Sequence, residues 1–290
     1  MPSPREIRRR IRGVRNMSQI TGALEMVAAS KMRRAQDRVT SGRPYADRLR
    51  AVLGDLASLT LSAEELAEFP LLQQREIKRT ALIVVTPDRG LAGALNSNIL
   101  RRTTQYIRQE AGNAPPKVIA VGKKGRDFLN RTGQDIVAEF IQLGDHPSLD
   151  DIRPIVGVAV EEFLSGEVDA VYMLYPQFVN TLTQRPEVVQ ILPIERPEGD
   201  EAEAPDYIFE PSAKDVLNEI LPRYVEVQVY QAILETVASF YSAQMVAMRN
   251  ATDNAKELVD DLDLALNKAR QAQITNEVAE IAAGAEIFRA

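Results

Sequence analysis

The 290-residue chain has no cysteine and no tryptophan and only one histidine. It also has no apolar run near the roughly 18 residues that a membrane-crossing helix needs. Without cysteine there are no disulfides, no Cys-ligated metal and no thiol chemistry, a usage that fits a reducing compartment. The lone His146, in Gly-Asp-His-Pro-Ser, reads as a loop residue ahead of a helix rather than an acid–base catalyst. At the amino terminus Arg5, Arg8, Arg9 and Arg10 are followed by no signal-type apolar stretch, so the chain reads as neither secreted nor spanning. One further absence is local. From Arg223 to Ala283 there are 61 residues without a proline or a glycine.

Apolar residues recur through that stretch at three- and four-residue steps, the period of an amphipathic helix. Such a helix is roughly 90 Å long, too long to fold into one compact core. Its expected seam runs through Val227, Tyr230, Leu234, Val237, Tyr241, Met245, Met248, Ala255, Leu258, Leu262, Ala265, Ala269 and Ala272. The side chains shrink along the way, which predicts a rod that tapers. A partner stands at the other end of the chain. Ser3-Pro4-Arg5-Glu6 supplies an N-cap, a first-position proline and a capping-box acid. Ile7, Ile11, Val14, Met17, Ile20, Leu24, Val27 and Ala28 then follow one helical face. This helix is expected over 4–41, with a kink at Ser41-Gly42-Arg43-Pro44 and helical character resuming through Leu59.

Net charge is −6, but residues 1–50 hold 13 basic and 4 acidic residues, a balance of +9 that leaves −15 for the remainder. A basic helix beside a C-terminal helix with 6 basic and 10 acidic residues over 223–290 relieves repulsion in both, so an antiparallel coiled coil is expected. Lengths then imply an overhang: about 38 residues cannot cover 61, so Ile274 to Phe288 should project as a single helix with Val278, Ile281, Ile287 and Phe288 exposed.

Between these helices the period changes. Strands are expected at 80–86, 117–122, 136–143, 170–178 and 186–194, the last two forming a hairpin-like edge. Helices are expected to about Gln109, over 126–131 and after a Ser148 cap, with Pro154 disturbing the last. Alternation of this kind implies a mostly parallel, Rossmann-like α/β domain. The fold class is therefore α/β plus a long antiparallel coiled coil, divided as an N-terminal helix over 1–60, a linker over 61–78, an α/β foot over 79–210 and the C-terminal helix over 211–290. Ser212 and Asp215 start that last helix, and Pro222 interrupts only its beginning. Tyr207 and Phe209, beside the acidic stretch 199–206, form either a packed strand or an exposed contact patch.

Asp88 to Asn96 occupies a phosphate-loop position between strand and helix, but neither G-x-G-x-x-G nor G-x-x-x-x-G-K-[ST] is present. Gly122-Lys123-Lys124-Gly125 reads as a solvated turn. No catalytic constellation, cofactor site or metal site is expected. The run Arg8-Arg9-Arg10 with Arg12 and Arg15 keeps a nucleic-acid-binding coiled-coil adaptor open as an alternative, and an oxidoreductase on the α/β domain is a third reading.

Three stretches also carry a family resemblance. Ile20 to Gln36 (ITGALEMVAASKMRRAQ), Asp88 to Asn98, and Met248 to Ile281 with Ala251-Thr-Asp-Asn-Ala255 and Asn267-Lys-Ala-Arg-Gln-Ala-Gln-Ile-Thr275 resemble the gamma subunit of the F-type ATP synthase. The resemblance implies a central rotor shaft coupling proton-driven ring rotation to ATP synthesis or hydrolysis in an alpha3beta3 hexamer, non-catalytic by itself and without cofactor or nucleic acid. It implies partners in the alpha and beta subunits, the epsilon subunit and the membrane c-ring, at the cytoplasmic face of a bacterial plasma membrane. Residue by residue, it assigns hexamer contacts to Arg270, Gln271, Thr275 and Glu277, a coupling-sensitive position to Leu24, and ring or epsilon contacts to Tyr207 and Phe209. The sequence departs from the family's usual methionine at Leu24, from arginine at Gln244 and from cysteine at Ala92. A salt bridge at position 244 is thereby removed, and thiol control with it.

Overall fold

The computed structural model describes residues 3–58, 68–111, 114–195 and 212–287. Two very long helices bracket the chain: α1 (Pro4–Ser58, 55 residues) and α5 (Ala213–Ile287, 75 residues). At about 1.5 Å per residue they measure roughly 80 and 110 Å. The expected break at Pro44 does not occur, and α1 passes through it. A mid-helix proline removes one hydrogen bond at a cost of about 3 kcal/mol. Buried Val39 and Leu53 on either side supply the packing that offsets it. Pro222 is likewise carried inside α5, and Ser212 opens that helix as expected, its hydroxyl accepting from Asp215 N at 3.2 Å. Leu59 lies outside the described residues.

The chain divides into two compact units, residues 1–28 with 244–290 and residues 29–243. The first is an antiparallel helix pair. Ile7, Ile11 and Val259 form its core, flanked by Val14, Leu262, Leu266 and Ala269. The Thr21 and Thr252 hydroxyls meet at 2.7 Å, buried, and each also reaches a carbonyl of its own helix (Met17 O at 3.0 Å, Met248 O at 2.9 Å). Such a satisfied polar pair in an apolar seam sets register. Ion pairs Arg15–Asp263 (3.0 Å) and Glu25–Arg249 (2.8 Å) continue the same alignment.

The seam differs from the expected one. Beyond Ala255 it passes through Val259, Leu262, Leu266 and Ala269, whereas Leu258 is 48% exposed and Ala265 and Ala272 are exposed. Adjacent apolar pairs such as 258/259 and 265/266 satisfy the same step pattern one residue apart, and the partner helix selects between them. On α1, Met17, Ile20 and Val27 were expected on the buried face but stand exposed, leaving Ile7, Ile11, Thr21 and Ala28 to face inward.

The second unit is a five-stranded sheet of order β3-β2-β1-β4-β5, built from β1 (Thr80–Val85), β2 (Lys117–Val121), β3 (Ile136–Phe140), β4 (Ala170–Phe178) and β5 (Gln184–Leu192). The first four are parallel and β5 is antiparallel to β4, starting two residues earlier than expected. β1 is central and buried along its whole length. Alternate residues Ala81, Ile83 and Val85 face a core with α4 (Leu149–Leu164), α5 and Leu53 of α1. The other face is covered by α2 (Leu95–Gln109) and α3 (Lys123–Arg131), with Tyr106 against Tyr172 at a ring separation of 5.6 Å. α4 keeps the Ser148/Asp151 capping box and includes Pro154 within its length.

Candidate partner-binding site: an unpaired helix end and an ionic collar

In the helix-pair unit, the antiparallel alignment exhausts α1 opposite Ala269. From Arg270 to Ala282 every residue of α5 is exposed. Ile274 (49%), Val278 (60%) and Ile281 (72%) are exposed there, and Met17, Ile20, Met26 and Val27 are exposed separately, on the paired part of α1. Aliphatic side chains each forgo about 1.5–3 kcal/mol when left unburied, and several of them exposed along one unpaired helix end suit a surface that another protein covers. Hydrogen bonds on this segment are local: Gln273 Nε2 donates to Glu277 Oε1 at 2.8 Å and Thr275 Oγ1 to Gln271 O at 2.9 Å. Arg270, Gln271, Thr275 and Glu277 thus sit together on the unpaired end, while Leu24 is half-buried on α1. Ile287's side chain, Phe288, Tyr207 and Phe209 lie outside the described residues. Gln244 is neutral, and the ion pair between the helices on this stretch is Glu25–Arg249.

The α/β unit contributes a different feature at the carboxyl ends of its strands. Asp88 accepts from Lys123 N (2.8 Å) and Gln142 N (3.1 Å), pinning the loops after β2 and β3 to the one after β1. Gly122, at φ +92°, is the N-cap of α3, not part of a solvated turn, and an added Cβ would stand 1.8 Å from Thr86 O. Only glycine fits that approach. Gly125 N donates to Thr86 Oγ1 at 2.8 Å, so this glycine motif is a packing joint. The cleft above it encloses about 70 Å³, enough for a few waters and far below a dinucleotide.

At the cleft's mouth Asp145 receives Lys31 Nζ at 2.6 Å and Arg89 Nη2 at 2.5 Å, and Tyr241 OH lies 3.3 Å from Lys31 and 3.2 Å from Arg89. Arg38 reaches the Asp145 carbonyl at 3.2 Å and the exposed His146 ring. One loop carboxylate therefore ties α1, the loop after β1 and α5 into a collar. Burial opposes ionisation of Asp145, but hydrogen bonds from Lys31 and Tyr241 and the charge of Arg89 outweigh it and hold the carboxyl below its ordinary value. Lys31 is correspondingly raised, first by its bond to Asp145. Lys31 and Arg89 lie inside the stretches that carry the family resemblance; Asp145 carries no such signal, which is why the sequence alone does not reveal the collar.

The family model described as "ATP synthase" matches residues 3–287. The chain is 57% identical over 287 residues to the ATP synthase gamma chain of Roseiflexus sp. (strain RS-1), covering 98% of each. It is 53% identical to that of Chloroflexus aurantiacus (strain ATCC 29366 / DSM 635 / J-10-fl), again covering 98% of each. The chain belongs to the ATP synthase gamma chain family. Among solved structures it is similar to a chain of the Euglena gracilis mitochondrial ATP synthase (OSCP/F1/c-ring, rotational state 3), with TM-score 0.68, 23% identity, and coverage of 98% of this chain and 94% of that one. At that identity the likeness is one of fold. Among the described residues no helix is long and apolar enough to cross a membrane, and no His, Asp or Glu group is arranged to hold a metal.

Proposed function

We propose that the protein is the central rotor shaft of an F-type ATP synthase, turned by a proton-driven membrane c-ring and acting on an alpha3beta3 hexamer. The observation that carries this reading is the unpaired, apolar end of α5 in a chain of the gamma family. A shaft needs an end that another protein surrounds without bonding it permanently; exposed aliphatics between short polar side chains meet that need. Rotation would then present different faces of an asymmetric helix end to three catalytic sites, a coupling between distant sites through one moving element. The ATP chemistry belongs to the hexamer. Arg270, Gln271, Thr275 and Glu277 are the proposed contacts with catalytic-subunit loops, and Leu24 the coupling-sensitive position on α1. Tyr207 and Phe209 are the proposed contacts to the ring and the epsilon subunit. The working location is the cytoplasmic face of a bacterial plasma membrane, peripheral. The nucleic-acid adaptor finds no support in the comparisons, which match the gamma chain family over 98% of the chain.

The reading is tested by deleting residues 278–290 and reconstituting the truncated chain with the hexamer and the membrane ring in sealed vesicles. Coupled ATP synthesis should fall while the α/β unit melts as before. Undiminished coupling would overturn it.

A further inference from the structure

On the outer face of the α/β unit, α2 and α3 leave a groove of about 530 Å³ between them. Its floor is partly apolar, with Leu100, Thr104 and Phe128, and its rim carries Arg101, Arg108 and Arg131. None of the three guanidinium groups has a carboxylate partner among the described residues. Arg101 donates only to Asn98 Oδ1 (2.6 Å), and Arg131 lies 5.8 Å from the Phe128 ring centre. The arginines beside them are satisfied: Arg102 makes a two-pronged bond with Glu110 at 2.6 and 2.8 Å, and Arg126 pairs with Asp127 and Glu139. Positive charge around this groove is therefore left unneutralised, on a chain of net charge −6. Three like charges around one groove repel, and an anionic occupant relieves them.

We propose that this groove is a docking site for an acidic, amphipathic helix of another polypeptide. Arg101 and Arg108 are seven residues apart on α2, roughly 10 Å along its axis, which matches acidic side chains at i and i+7 of a helix laid alongside. The apolar floor takes that helix's Leu or Ala stripe. A phosphate or nucleotide fits less well, because a single phosphate spans only part of the charged rim and the apolar floor gives it no donors. The inference goes beyond the rotor reading and does not depend on it.

Because the chain has no cysteine, Gln105→Cys on the groove wall accepts one environment-sensitive fluorophore in the full-length protein. Asp150→Cys, on α4 across the sheet, serves as the control. The probe is a 20-residue helical peptide with Glu at i, i+3 and i+7 beside a Leu/Ala stripe, compared with its Glu-to-Gln counterpart. We expect a saturable, salt-sensitive response at position 105 to the acidic peptide only, no response at 150, and at least tenfold weaker binding after Arg101→Gln/Arg108→Gln/Arg131→Gln. Arg108→Gln alone should weaken it severalfold, and all three sites are exposed, so circular dichroism melts should stay unchanged. A response that survives the triple substitution, no response at 105, or displacement by inorganic triphosphate at lower concentration than the peptide would each overturn the proposal.

Discussion

Asp145 is the residue on which three elements of the α/β unit converge, and its carboxylate is held ionised by Lys31, Tyr241 and Arg89 against the cost of burial. A depressed folded-state pKa means stability that is present above the unfolded carboxylate pKa of about 4 and lost as pH falls through the folded value. Asp145→Asn should therefore lower urea-unfolding stability near pH 7 by about 1 kcal/mol, a modest figure because Arg89 is largely exposed. The gap should close below about pH 4; equal stability at pH 7 would show that the collar contributes nothing. Glu235 behaves in the opposite sense. It is 8% exposed on α5, where burial raises its pKa, Phe178 N (3.1 Å) and Arg43 partly lower it, and Glu187 adds repulsion. A raised carboxyl pKa contributes stability below the unfolded value that is lost as pH rises through the folded one. Glu235→Gln keeps an oxygen for Phe178 N and removes the desolvated charge, so it should be more stable than the parent by about 1 kcal/mol at pH 8 and equal to it near pH 4. A variant weaker at pH 8 would contradict this account.

At the scale of the element, the helix pair is secured by few contacts, so each counts. Ile11 is 4% exposed in the small core with Ile7 and Val259, and Ile11→Ala should cost about 2–4 kcal/mol of local stability, read as loss of helical signal in a thermal melt. Gly13 lies inside α1 with nothing within 4 Å of an added Cβ. Gly13→Ala should therefore raise the melting temperature of the pair, contributing about 0.5–1 kcal/mol through helix propensity; a lowered melting temperature would mean that the helix is strained there. These two helices were readable from the sequence because a 3.6-residue period sustained over dozens of residues has no competing explanation. The phase of the period was less readable: Leu258 and Val259 are equally apolar, and only the positions of Ile7 and Ile11 decide that Val259 turns inward. Prolines 44, 154 and 222 all lie inside helices, since a local cost of a few kcal/mol is decisive in a peptide and tolerable in a packed helix.

For the molecule as a whole, the two units differ in how much they bury. The α/β unit has a central strand buried over all six residues and cores on both sides, whereas the helix pair rests on a narrow seam that ends at Ala269. Opening free energies follow buried apolar contacts, so amide exchange in the full-length chain should be fast over 270–287, intermediate over 5–15 and 255–266, and slowest in β1 and β2. Uniform protection along α5 would show that the unpaired end is held by something else. By itself the sequence determined the element types, the antiparallel pairing of a basic helix with an acidic one and the overhang, because periodicity, charge and length are properties of a single chain read locally. Tertiary structure alone decided which of two apolar stripes forms the seam, that Gly122 is a close-packing joint, and that Lys31, Arg89, Asp145 and Tyr241 meet. Each of those depends on what a distant segment places opposite the residue, and pairing across more than a hundred positions leaves no local trace.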